Sequence, residues 1–249
     1  MSTIKDIVLV CSGRYHDIDF ARLELLKLLA QHPAARVTVT DNYDLGDRLD
    51  GADALISYTC DVTADAAAAA HLRDWLHNGG RWFALHGTNS VIEFTSLKPL
   101  SVATPDRAPE FMALLGSQFQ GHPPLQDFEV RPTGVRHALV DGIDAFTTND
   151  EIYLCKMIGD NTVLLDCNWT EPVSAFESTD WQDNERQPVF YLRDHDKGAV
   201  LYLTLGHCRG HHDMRPLMDD YPAIARCSWA TPEFYELLRR GIRWALGVL

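Results

Sequence analysis

Apolar and polar positions along the first third of the chain alternate between two periods. KDIVLVC (5–11) is a short apolar run rich in β-branched residues and followed by Ser12 and Gly13, the pattern of a strand covered on both faces. The stretch 17–31 then sets Ile18, Leu25, Leu28 and Leu29 among polar residues at near-helical spacing, and Pro33 ends it. The same reading predicts strands at 36–40 and 52–59, an alanine-rich helix over 63–77 closed by Gly79 and Gly80, and a strand at 81–85. Strand and helix alternating at this pitch predict βαβ units and a parallel sheet. Beyond His86 the pattern loosens: 90–109 has prolines and no period, as in a long functional loop or insertion. A short helix at 110–115 follows, then strands at 125–131, 151–157, 162–167, 173–176, 189–192 and 199–204, with a hairpin turn at 194–198. An amphipathic helix over 231–246, with Thr231 as N-cap and Pro232 at its first position, closes the chain. Without linker or repeat, the expectation is one α/β domain over 1–249, its central sheet mainly parallel with antiparallel additions in the C-terminal half.

Composition narrows the class of partner. With 46% apolar and 23% charged residues, the chain is neither disordered, collagen-like nor coiled-coil. The 22 Lys and Arg against 35 Asp and Glu leave a net charge of −13. That field repels phosphate backbones and anionic lipid, and no basic patch offsets it, so neither nucleic acid nor membrane is an expected partner. A small neutral ligand fits better. No apolar run approaches the roughly 20 residues of a membrane span and the first residues read as a strand, so a cytoplasmic location is expected. The six cysteines are scattered without a C-x-x-C, which predicts reduced thiols. The acidic surface and the partly apolar 90–109 insertion leave a patch that a second copy could cover, giving a homodimer. There is no phosphate loop, no G-x-G-x-x-G, no H-E-x-x-H and no G-x-S-x-G, so nucleotide-dependent chemistry has no support.

The 11 histidines become informative through their positions. Ligands of open parallel sheets bind outside the carboxyl ends of the strands. His16 lies beyond the first strand in SGRYHD, His86 ends RWFAL, His122 sits in QGHPP, and His207 ends VLYLTL. Asp150 and Glu151 open the segment EIYL. The expectation is that His86, His122, Glu151 and His207 share one pocket with His16 at its rim. Any one loop histidine is more often a hydrogen-bonded structural residue, and that reading is kept for His32, His71, His77, His195, His211 and His212, with His137 undecided. Trp169 and Trp181, in loop-like contexts, are candidates to stack on a sugar face. Cys208, beside His207, is read as a structural thiol rather than a nucleophile.

Five segments carry a family resemblance: GGRWFALHG (79–87), FMALLGSQFQGHP (111–123), HALVDGIDAFTTNDEIY (137–153), KGAVLYLTLGH (197–207) and FYELLRRGIRWALG (234–247). In that order and spacing the chain resembles the ThuA-like (trehalose utilisation) family over nearly its whole length from Gly79 onward. The resemblance implies a flavodoxin-like sheet with helices on both faces, related to class I glutamine amidotransferases, and a setting in carbohydrate catabolism beside enzymes that make keto-sugars. In the amidotransferases a cysteine nucleophile occupies the sharp turn after a central strand and pairs with a later histidine. Here His86 stands at that turn and His207 matches the later histidine, so glutaminase activity is not carried over. His122, Asp150, Glu151 and Tyr153 match the family's GHP and DE-x-Y pieces. Departures are Ala138 after His137, Ser117 after Gly116, and Tyr191 where a tryptophan is common.

Two classes of function follow. In the first, an enzyme acts on a sugar or keto-sugar: His86 and His207 exchange protons with a hydroxyl or a carbon next to a carbonyl, Glu151 orients or charges one imidazole, and His16, His122, Asp150 and Tyr153 bind substrate. The same imidazoles and carboxylate equally suit a divalent metal such as zinc. In the second, a non-catalytic sugar-binding or regulatory protein keeps the pocket without the chemistry.

Overall fold

Alternate residues of β1 (Lys5–Gly13) face opposite covers: Ile7, Leu9 and Cys11 pack into one core, Val8 and Val10 into the other. This two-sided burial is why the segment reads as a continuous apolar run. The structure, a computed structural model, describes residues 4–182 and 185–249. After β1 come α1 (Ile18–Leu29), β2 (Ala35–Thr40), the single turn α2 (Asp47–Asp50), β3 (Ala54–Cys60), α3 (Ala66–His77) and β4 (Arg81–Leu85). A hairpin of β5 (Glu93–Leu97) and β6 (Leu100–Ala103) lies inside the segment expected as a loop, followed by α4 (Pro109–Leu115) and β7 (Ser117–Gly121). The remainder runs β8 (Gln126–Pro132), β9 (Phe146–Asp150), β10 (Leu154–Met157), β11 (Thr162–Asn168), β12 (Arg186–His195), β13 (Gly198–Leu203) and α5 (Pro232–Ala245).

Among the described residues, nine strands form the central sheet in the order β2-β1-β3-β4-β13-β12-β11-β8-β9. The first five run parallel, and β12, β11, β8 and β9 add antiparallel. α1 and α5 cover one face through Leu25, Leu28, Phe234 and Leu237, and α3 and α4 the other through Leu72, Leu76, Phe111 and Leu115. This is the expected α/β fold with helices on both faces. The position of β13 matters most for the site: it inserts beside β4, so the carboxyl ends of two segments far apart in sequence become neighbours.

The differences from the sequence reading have physical causes. β7 (SQFQG) is fully buried despite its polar residues, because Ser117 bonds Tyr191 and Asn89, Gln118 donates to the Thr104 carbonyl, and Gln120 accepts from the Asp180 amide. The strand expected over 151–157 begins only at Leu154. The stretch 173–176 makes a single bridge, Phe176 with Val102, rather than a strand. Pro232 does open α5, but the Thr231 hydroxyl bonds that of Thr148 instead of capping the helix. All six cysteines are free.

Candidate functional site

The turn after β4 is tight enough to dictate its own residues. His86 takes a left-handed backbone, φ 46°, and its carbonyl accepts from the Tyr202 hydroxyl at 2.6 Å. A Cβ on the next residue, Gly87, would come within 2.7 Å of the Thr59 carbonyl oxygen, so only glycine lets this turn lie against β3. The fully buried imidazole is thereby aimed across the end of β13. His16 reaches the same point from the β1–α1 loop, where the Asp17 amide donates to the Cys208 carbonyl and the Asp17 side chain caps α1. His207 follows β13 after Thr204, Leu205 and Gly206.

Asp150 assembles the remaining side. Its Oδ1 accepts from the amides of Glu151 (2.7 Å) and His207 (3.1 Å), and its Oδ2 from those of Gly206 (2.9 Å) and Ser228 (3.3 Å). Burial raises its pKa. Expected to bind substrate, Asp150 is instead a completely buried brace that fixes Glu151 against His207 and does not line the cavity.

The histidine tautomers follow from their partners. Nδ1 of His86 lies 2.8 Å from the Thr204 carbonyl oxygen and Nδ1 of His16 lies 3.1 Å from that of Arg14, so each Nδ1 carries the hydrogen and donates. Burial pushes the His86 pKa down to about 4 and, with the neighbouring His86 and His207, holds His16 well below the usual histidine value. Both rings are therefore neutral near pH 7, with a lone pair on each Nε2. Those two Nε2 atoms face each other at 2.9 Å. Two acceptors at that distance have nothing to share. His207, also fully buried and lowered by burial, has no hydrogen-bond partner on either ring nitrogen among the described residues, although its Nδ1 is 3.1 Å from Glu151 Oε1. Burial works to raise Glu151, but the imidazoles of His122, His207 and His86 hold it well below the usual carboxylate range. Ligating atoms of His16, His86, Glu151 and His207 lie within 4.8 Å of one another, a cluster able to hold a metal ion.

A cavity of about 510 Å³ opens above this cluster. His16, His122, Glu151 and Tyr153 line it, whereas His86 and His207 lie beneath its floor. His16, expected at the rim, is a member of the cluster. His122 turns Nδ1 to the Pro123 carbonyl and Nε2 to Glu151 Oε1 at 3.3 Å, and the Tyr153 hydroxyl is 3.2 Å from His86 Nε2. Trp169 lines the cavity, but Trp181 is buried in the core. Burial raises the Cys208 thiol to about 12, in keeping with a structural role. His195 donates from Nε2 to the Leu114 carbonyl, and the other histidines assigned structural roles also lie outside the cavity.

Arg209 escaped the sequence reading. Its Nε donates to the Tyr15 carbonyl at 2.8 Å and Nη2 lies 3.9 Å from Glu151 Oε1, placing a guanidinium on the cavity floor. The available signal was its position two residues past His207 in an acidic chain. The apolar walls, from Phe94, Phe119 and Phe176, had no signal beyond ordinary core composition.

No curated protein sequence matches the chain. Solved structures do share its fold. A ThuA-like protein from Parabacteroides merdae ATCC 43184 aligns with TM-score 0.68 and 14% identity over 98% of this chain and 90% of that one. A ThuA-like protein from Bacteroides uniformis ATCC 8492 gives 0.66 and 15% over 98% and 93%. The cold-adapted β-galactosidase from Rahnella sp. R3 gives 0.57 and 11%, with all of this chain covering 32% of that longer one. At these identities the likeness bears on the fold. No described helix is long and apolar enough to cross a membrane. The family model for ThuA, described as trehalose utilisation, matches residues 7–218, and the chain belongs to that family of carbohydrate metabolism.

Proposed function

We propose that the protein is an enzyme of carbohydrate catabolism acting on a sugar or keto-sugar, with a divalent metal, zinc by its ligand chemistry, held by His16, His86, His207 and Glu151. The observation that carries this reading is the 2.9 Å approach of two neutral Nε2 atoms whose Nδ1 hydrogens are already given to backbone carbonyls. Imidazoles oriented through Nδ1–H to a carbonyl are the usual outer-shell arrangement of metal-ligating histidines. A proton shared between the rings would also relieve the clash, but with His86 at about 4 that proton is absent at neutral pH. Three imidazoles and one carboxylate form a nitrogen and oxygen donor set that suits zinc.

A metal bound there would polarise a carbonyl or activate water. The chain's own groups supply the rest. The Tyr153 phenol, held well above its usual pKa by burial and by Glu151, keeps its proton and is a donor for a substrate oxygen on the cavity floor. His122, with a quarter of its side chain exposed, links Glu151 to the open cavity and is placed to carry a proton between them. Arg209 adds a fixed positive charge for a developing oxyanion. Glutaminase chemistry is not proposed, because His86 occupies the nucleophile turn.

A non-catalytic sugar-binding protein is the weaker reading, since each orphaned nitrogen on a buried ring costs roughly 1–3 kcal/mol that recognition of hydroxyls does not require. Elemental analysis after zinc reconstitution and substrate depletion on disaccharides and their keto forms test the proposal. One tightly held metal per chain, lost with turnover in His86→Ala, Glu151→Gln and His207→Ala, is expected. A folded protein that holds no stoichiometric metal, or one whose turnover survives these substitutions, would overturn it.

A further inference from the structure

The cavity has two chemically different halves. Imidazole, carboxylate, phenol and guanidinium groups gather on the floor, from His16, His122, Glu151, Tyr153 and Arg209. The walls above are mostly carbon, from Phe94, Leu100, Val102, Phe119, Trp169 and Phe176, with Glu171 and Ser174 the polar side chains among them. This wall is built rather than loose. The β5–β6 hairpin is tied to the 173–177 segment by Val102 N to Ala175 O (2.9 Å), Glu177 N to Val102 O (3.0 Å) and the Ser101 hydroxyl to Glu177 Oε1 (2.6 Å). Phe176 is further held by edge packing on Phe119, ring centroids 5.6 Å apart, and by the His122 ring at 5.0 Å.

A ligand that fills both halves has to match both. One sugar ring on the floor finds donors and acceptors for its hydroxyls. A second, unsubstituted sugar ring between Phe94, Leu100, Val102 and Phe176 would press hydroxyls against carbon, and each hydroxyl buried without a partner weakens binding by roughly tenfold. An apolar ring in the same place removes wall and ring surface from water with no such loss. We propose that the ligand of this site is a glycoside with an apolar, ring-sized aglycone: the sugar lies on the polar floor and the aglycone between the β5–β6 hairpin and the 173–176 segment. The assignment rests on the reading of the floor as a sugar-processing centre, but it concerns the opposite end of the ligand.

Calorimetric titration of the zinc-loaded protein with phenyl α-glucoside, methyl α-glucoside, trehalose and phenol, each sugar also in its keto form, tests it. The phenyl glycoside is expected to bind at least about tenfold tighter than the methyl glycoside and tighter than trehalose. Phe176→Ala should shrink the phenyl-to-methyl ratio toward one. Leu100, 49% exposed, offers a second variant that leaves the core alone, and Leu100→Ser should reduce the ratio in the same direction. Equal affinities for phenyl and methyl glycosides, tighter binding of trehalose, phenol binding as well as its glycoside, or no phenyl glycoside binding at millimolar concentration would each overturn the assignment. A phenyl preference in a protein without metal or turnover would overturn the enzyme reading and leave this one standing. Turnover of trehalose with no gain from the phenyl group would do the reverse.

Discussion

Acidifying the metal-free protein from pH 7.5 to 5.0 should cost it stability through His86. The ring titrates at 6.5 in the unfolded chain and at about 4 when folded, because burial disfavours its charged form. As pH falls, the unfolded state takes up the proton first, so the stabilisation is complete above the unfolded value and lost progressively from 6.5 down to about 4. The full gap is worth about 3 kcal/mol at 1.36 kcal/mol per unit, and about 2 kcal/mol of it is already lost at pH 5. His16 and His207, displaced in the same direction, add to the loss. Glu151 does not contribute in this window: its pKa is lowered, so its stabilisation is present above 4.5 and is lost only below that. Asp150, raised by burial, offsets part of the loss where it titrates. Urea unfolding in EDTA, followed by tryptophan fluorescence, measures the slope. The reference is His86→Asn, which keeps a donor for the Thr204 carbonyl, tolerates the left-handed backbone and does not titrate. Its loss between the two pH values should be smaller by about 2 kcal/mol. Identical slopes for the two proteins would refute the neutral, buried imidazole on which the metal reading depends.

Asp150→Asn turns an amide group toward one pair of backbone N–H donors, so it should destabilise by roughly 1–3 kcal/mol and lower metal retention without touching the cavity, as denaturation and elemental analysis would show. Gly87→Ala forces a methyl group to 2.7 Å from the Thr59 carbonyl oxygen, and a loss of about 1–3 kcal/mol in urea unfolding is expected. Cys208→Ala should leave turnover within a fewfold of the parent while costing about 1 kcal/mol, because the buried thiol has no reactive role; a hundredfold drop in rate would contradict that.

The parallel half of the fold was legible because its signal is periodic. β1 and β3 are buried on both faces and read as apolar runs, while α1 and α3 present Leu25, Leu28, Leu72 and Leu76 at helical spacing. β7 and β9 were not, since SQFQG and FTTND bury polar side chains that find partners only in the folded protein. The site divides in the same way. The strand-end rule reaches His16, His86 and His207 because β1, β4 and β13 are parallel and end on one edge. It says nothing about Arg209, about Asp150 acting through backbone amides, or about which imidazoles lie beneath the floor rather than on it.

Glu151 is the part of the site that strand order alone would not have placed. β9 is the last strand of the sheet and β4 the fourth, five spacings away, which in a flat sheet is about 24 Å. Yet Glu151 Oε2 lies 3.6 Å from His86 Nε2. The distance closes because Glu151 has left the sheet: residues 151–153 lead from the end of β9 to β10, which pairs with β7 in a separate two-stranded ribbon. That ribbon is pinned over the central strands by Ser117, bonded to Tyr191 of β12 and to Asn89 in the turn after β4. The connecting segment is therefore drawn across the carboxyl ends of the strands, and Asp150 locks its first residue to His207. The carboxylate of the cluster thus depends on the antiparallel half having folded onto the parallel half, whereas all three imidazoles, His16, His86 and His207, follow strands of the parallel half itself.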